Sequence, residues 1–115
     1  MDHRTDILDL RTALEVLRQT PGQLVETDVE VDPEAELSGV YRYVGAGGTV
    51  MRPTRVDGPA MVFNNIKGHP DTSVAIGVLA SRQRVANLFG VKKEELGHLL
   101  CECAKAPVQP IVTDK

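Results

Sequence analysis

The run GPAMVFNNIKGHPDTSVAIGVL, residues 58–79, decides how this chain folds. Within it, AMVFNNI and VAIGVL are short and mostly apolar, and the intervening KGHPDT is rich in residues that favour turns. Segments this brief suit buried strands better than helices. The reading is two strands joined by a turn, so the chain contains a sheet, and the flanking sequence must supply what packs on it.

Upstream, Leu10, Ala13, Leu14 and Leu17 fall at i, i+3, i+4 and i+7, which places one apolar stripe on a helix that Asp6 or Asp9 can cap. Thr20-Pro21-Gly22 ends it. In VETDVEVD, Val25, Thr27, Val29 and Val31 alternate with Glu26, Asp28, Glu30 and Asp32. Period two predicts a half-buried strand with its acids on one face. Asp32 and Pro33 read as N-cap and first position of a second helix, because proline lacks only a hydrogen that is unpaired there. Leu37, Val40, Tyr41 and Val44 give that helix its stripe and Gly45 its end. GAGGTVMRPTRVDG, without sustained periodicity, reads as a long loop.

Downstream, Ser81 caps a predicted helix whose Val85, Leu88 and Phe89 face inward, with Gly90 as its left-handed C-terminal residue. A last helix runs from Lys92 to Lys105 on a stripe of Leu96, Leu99, Leu100 and Cys103, weakened at Gly97 by about 1 kcal/mol relative to alanine. The closing APVQPIVTDK has the look of a strand just starting. The predicted order is helix-strand-helix-strand-strand-helix-helix: an α/β fold with a small sheet of about three strands and about four helices.

With 115 residues the chain fits one domain, and 42% apolar with 25% charged residues is the balance of an ordinary globular protein. No apolar run approaches the roughly 20 residues of a membrane-spanning helix. The polar, acidic start MDHRTDILDL lacks the pattern of a secretory signal, so the expected location is the cytoplasm. A net charge of −3 and one modest basic cluster argue against nucleic acid as a partner. Cys101 and Cys103 point about 200° apart on a helix, poor geometry for a disulfide, and are expected to be reduced thiols.

Several residues invite a chemical reading, each against a plainer one. Consecutive amides at Gly45–Gly48 could cradle a phosphate, but the run follows a helix and matches neither a dinucleotide fingerprint nor a P-loop. Arg52 and Arg55 could clamp a carboxylate, or simply be solvated. His98 and Cys101 could reach one metal ion, with Glu102 or Cys103 enlarging the set, yet no second ligand pair is visible; the default is Cys103 in the core and His98 on the surface. As nucleophiles the two cysteines are disfavoured by Glu94, Glu95, Glu102 and the negative end of their helix. Glu26, Asp28 and Glu30 read as a solvated acidic face. Asn64, Asn65, Lys67 and His69 form the densest polar group, but adjacent strand residues face opposite ways and KGHPDT suits a connecting turn.

Taken together, DLRTALEVLRQTPGQLVETDVEVDPEAELSGVYR, GPAMVFNNIKGHP and VLASRQRVANLFG resemble the N-terminal domain of the UbiD family of decarboxylases. YRYVGAGGTVMRPTR looks like the branch acting on phenolic acids such as protocatechuate, 4-hydroxybenzoate or vanillate. The resemblance implies reversible, non-oxidative decarboxylation with prenylated FMN, a divalent metal (manganese) and potassium. It places the Arg-Glu-Glu proton network and the Asn, His and Glu metal ligands in a split-barrel domain that follows. No catalytic, cofactor-binding or metal-binding residue is therefore carried over: Asn64, Asn65 and His69 are not assigned to the metal, nor Glu102 to the acid role. Residues 1–106 are the expected N-terminal α/β domain, and 107–115 the start of a linker or the first strand of the flavin-binding domain. The implied partners are the flavin-binding and C-terminal domains, in an enzyme that is a homo-oligomer. The alternative is a free-standing binding module that kept the fold and lost catalysis.

Overall fold

The elements follow one another as α1 (Leu10–Gln19), β1 (Leu24–Thr27), α2 (Glu36–Ala46), β2 (Ala60–Phe63), β3 (Val74–Ile76), α3 (Arg82–Phe89) and α4 (Leu96–Ala104), with a 3-10 turn at Lys93–Glu95 leading into α4. The structure, a computed structural model, describes residues 2–48 and 56–114. The α/β class and the element order are those read from the sequence.

The three strands lie in the order β1-β2-β3. β1 pairs with β2 in parallel, Val25 opposite Met61 and Thr27 opposite Phe63, while β3 runs antiparallel to β2 with Ile76 opposite Met61. Parallel neighbours need a crossover connection, and α2 supplies it. α2 packs on the face that carries Met61 and Phe63, where Val31, Leu37 and Ile66 complete a buried cluster and Val40, Tyr41 and Val44 pack against it. On the opposite face α1 buries Ala13 and Leu17, and Leu14 opens toward Val62 and Ala75. With both faces covered, all four residues of β2 are buried. That is why AMVF is a continuous apolar run and not an alternating one.

Asp9, not Asp6, caps α1: its carboxylate accepts the Thr12 N–H at 2.8 Å, and the Thr12 hydroxyl accepts the Asp9 N–H at 3.1 Å. Asp6 instead pairs with Arg4 at 2.6 Å.

Several boundaries depart from the sequence reading. β1 stops at Thr27, and Val25 and Val29 are exposed, so the predicted strand through Asp32 is not continuous. The Thr27 hydroxyl accepts the Val29 N–H at 3.2 Å and turns the chain out of the sheet. Pairing resumes at the isolated bridge Val31–Ile66 with one more residue on this side than on the β2 side. Such a bulge breaks the period-two rule, and only Val31 beyond it is buried.

Asp32 is not the N-cap of α2. Its carboxylate accepts the Glu34 N–H at 2.8 Å, forming a turn, and Ala35 at φ 71° keeps the helix from starting before Glu36. The Glu36 carboxylate reaches back to the Asp32 N–H at 3.0 Å. At the other end α2 runs past Gly45 to Ala46, and Gly47, at φ 85°, is the left-handed residue that stops it.

On α3 the fully buried side chains are Arg84 and Ala86; Val85, Leu88 and Phe89 are only half-buried. They face a groove bordered by the extended N-terminal segment, where the Arg4 N–H donates to the Phe89 carbonyl at 2.6 Å. On α4 the buried residues are Leu96 and Leu99, while Leu100 and Cys103 are exposed, so Cys103 is not a core residue. Among the described residues α4 makes its main contacts with the 3-10 turn before it, and Leu100, Cys103 and Ala104 in its second half are exposed. The tail from Pro107 to Asp114 forms no strand.

Candidate functional site

The polar groups singled out in the sequence do not converge. At the end of β2, the Asn64 side-chain oxygen accepts from Ser73 at 2.9 Å, whereas the Asn65 amide donates to the Asp28 carbonyl at 3.1 Å, toward β1. The two asparagines thus tie different neighbours in place. Lys67 is exposed and 3.8 Å from Asp32; His69 is exposed and closes the turn by donating its N–H to the Ile66 carbonyl at 2.9 Å.

Gly45–Gly48 lies at the C-terminal end of α2, where carbonyls carry negative partial charge, the wrong polarity for a phosphate. Arg52 and Arg55 lie outside the described residues. His98, Cys101, Glu102 and Cys103 are all exposed on α4, and Glu102 pairs with Lys105 at 2.7 Å. Among the described residues no three His, Cys, Asp or Glu side chains are placed to hold a metal ion. Of the expected acidic face, only Glu26 lies on β1, engaged by Arg18 at 2.7 Å, which holds its carboxyl below the usual range; Asp28 and Glu30 lie beyond the strand and are exposed.

The densest polar arrangement was not anticipated. Arg84 is 1% exposed, and its guanidinium sits among backbone carbonyls. Nη1 donates to the Gly58 carbonyl at 2.8 Å and to Gln23 Oε1 at 3.3 Å. Nη2 donates to the Gly77 carbonyl at 2.8 Å, and Nε is shared between Gly77 and Val78 at 3.1 and 3.2 Å. One side chain therefore ties the residue before β1, the approach to β2 and the exit from β3. Burial pulls the guanidinium pKa down, opposed by Tyr41 and Asp57. Arginine stays charged nonetheless, and its planar fork of five N–H donors suits several carbonyls at once.

Beside it, Ser81 accepts the Arg84 N–H at 3.2 Å as N-cap of α3 and donates its hydroxyl to Asp57 at 2.5 Å. These residues border an open recess of about 510 Å³ that also takes in Arg82 and Lys93. Ser81 is buried, caps a helix and has no histidine or lysine base bonded to it, so the arrangement is one of support and not of nucleophilic attack. Glycines complete the support. A Cβ on Gly58 would overlap the Gly45 carbonyl, and one on Gly45 or Gly77 would overlap the Tyr41 ring. Among the described residues no buried side-chain nitrogen or oxygen lacks a hydrogen-bond partner.

Flavin mononucleotide needs donors for its phosphate and a cleft for its ring, and the metal of such an enzyme needs convergent ligands. The glycine run presents carbonyls and not donors, and among the described residues no metal ligand set assembles. Fold and site together define a small βαβ-containing domain whose polar residues hold its own backbone in place.

Residues 15–104 match the sequence profile of the 3-octaprenyl-4-hydroxybenzoate carboxy-lyase N-terminal domain, and the chain belongs to that family, UbiD. It is 57% identical over 102 residues to the gallate decarboxylase of Lactiplantibacillus plantarum, a match covering 89% of this chain and 21% of the relative. Two solved structures share its fold. The 3,4-dihydroxybenzoic acid decarboxylase of Klebsiella pneumoniae superposes with a TM-score of 0.82 at 53% identity, over 93% of this chain and 22% of that one. The enzyme of the same description from Enterobacter cloacae gives 0.83 at 50% identity, over 95% and 22%. These relatives bear out the resemblance to the phenolic-acid branch. The chain spans about a fifth of their length.

Proposed function

We propose that this chain is the non-catalytic N-terminal scaffold domain of a UbiD-like enzyme that decarboxylates a phenolic acid, non-oxidatively and reversibly. The observation that carries the reading is the match itself: nine-tenths of this chain aligns with one-fifth of decarboxylases that act, by name, on gallate or 3,4-dihydroxybenzoate. On this reading prenylated FMN, manganese and potassium belong to the flavin-binding and C-terminal portions of a homo-oligomeric, cytoplasmic enzyme, and residues 107–115 lead toward the flavin-binding domain.

The test is direct. Purified residues 1–115, supplied with prenylated FMN, manganese and potassium, are expected to leave gallate and 3,4-dihydroxybenzoate unchanged by chromatography, and carbon dioxide release would sink the reading. Combining the chain with the remaining four-fifths of a relative is expected to yield a stable complex. Lack of association would favour the free-standing binding module.

A further inference from the structure

We propose that the second half of α4 and the segment leaving it form the surface by which this domain docks on the larger, remaining part of a decarboxylase; the inference rests on the scaffold reading above. At about 100° per residue, Leu99, Cys103, Leu96, Leu100 and Ala104 make one continuous apolar arc of α4, with Cys101, His98 and Glu102 on the rest of the circumference. The arc is covered at Leu96 and Leu99 in the first turn of the helix and open beyond them. Leu99 is 2% exposed and Leu100 47%, and Cys103 and Ala104 are exposed as well.

The chain then continues with Val108, Ile111 and Val112, each at least 90% exposed. Between α4 and this segment lies an open groove of about 490 Å³ that includes His3, Leu99, Cys103 and Val108. Contiguous apolar surface of this kind marks an interaction site. Another apolar groove, on α3, is already lined in part by this chain's own Arg4 and Ile7. As occupant the remainder of the enzyme is favoured by length and by continuity. Four-fifths of each relative lies outside the matched region, and a partner that takes up the exposed, β-branched Ile111 and Val112 in a strand is held against α4 by the covalent chain.

The two cysteines are built-in reporters, because both are exposed here and they point to opposite sides of α4. In a chimera, this chain replaces the matched N-terminal fifth of the Enterobacter cloacae enzyme, and intact protein is labelled with iodoacetamide and read by peptide mass spectrometry. Relative to the 115-residue chain, labelling of Cys103 is expected to fall about tenfold or more while that of Cys101 is unchanged. Leu100→Asp is expected to restore Cys103 labelling in the chimera without altering the unfolding midpoint of the 115-residue chain. Equal labelling of both thiols in a folded chimera overturns the docking surface and leaves the scaffold reading standing.

Should the chimera fail to fold, the same labelling is done on the two pieces co-expressed as separate chains. Copurification with Cys103 protected supports the proposal. Failure to copurify overturns both it and the scaffold reading. Concentration-dependent protection of Cys103 in the 115-residue chain alone assigns the surface to a second copy and overturns it too.

Discussion

α3 buries a charge and α4 exposes leucine. The two helices are close in sequence and similar in length, yet one carries Arg84 at 1% exposure and the other leaves Leu100 at 47%. Around Arg84 each guanidinium nitrogen has an acceptor near a strand end, so the cost of removing the guanidinium from water is offset by hydrogen bonds. Leu100, among the described residues, keeps about half of its surface open. Burial here follows from which neighbours the topology delivers, more than from the polarity of the side chain.

Removing the guanidinium should break the contrast most. Arg84→Met leaves the Gly58 and Gly77 carbonyls without their buried donor, and the expected loss is about 3–5 kcal/mol of unfolding free energy in urea titration. Arg84→Lys should recover only part of it, because an ammonium cannot span the same carbonyls. A loss below about 1 kcal/mol would mean that water replaces the guanidinium, and Arg84 would no longer be the tie between strands.

The close backbone approach comes next. Gly58→Ala places a methyl on the Gly45 carbonyl, forcing α2 away from the approach to β2, at an expected cost of about 1–3 kcal/mol in thermal unfolding. Gly39→Ala, with open space around it in the same helix α2, serves as the control and should not destabilise. Smaller still is the cap of α3: Ser81→Ala removes the acceptor for the Arg84 N–H and the donor to Asp57, and about 1 kcal/mol is expected to be lost in chemical denaturation. Ser81→Asp would repel Asp57, so Ser81→Asn is the better rescue.

The smallest effect is a pH dependence at the far end of the molecule. The Asp9 carboxyl is held below its usual value chiefly by the Thr12 backbone N–H, then by the Thr12 hydroxyl. A depressed folded pKa means that the contribution is present above the unfolded value of about 4 and is lost as pH falls through the lower, folded one. Urea midpoints should therefore decline on acidification below about pH 4. Asp9→Asn, which keeps an acceptor but does not titrate, should make that decline shallower. Asp6 and Glu26 are lowered in the same sense by Arg4 and Arg18, so a residual slope is expected.

The helical stripe of α1, the buried strand AMVF, the existence of the shorter and only half-buried strand VAI, the Ser81 cap and the Gly90 stop were legible because each depends on residues within one turn or one strand. The turn character of Lys67 to Pro70 and the divergence of Asn64 from Asn65 were legible for the same reason. What was misread depends on partners far along the chain. The alternation from Val25 to Val31 promised one continuous strand, but the bulge is set by pairing with residues 63–66. Gly45 read as a helix stop because the backbone of Gly58, which must approach it closely, lies thirteen residues away. The inward face of α3 was assigned by hydrophobicity, which has no term for a guanidinium that finds four carbonyl or amide oxygens.

By itself the sequence determined the α/β class, the order of the elements and the family, because periodicity, caps and local motifs are written in neighbouring residues. The tertiary structure alone decided that β1 and β2 run parallel beneath α2 and that Arg84 is the internal tie of the sheet. It also decided that the apolar arc of α4 stays half uncovered. Each of those outcomes depends on which distant surfaces meet, and a side chain's burial is a property of that meeting.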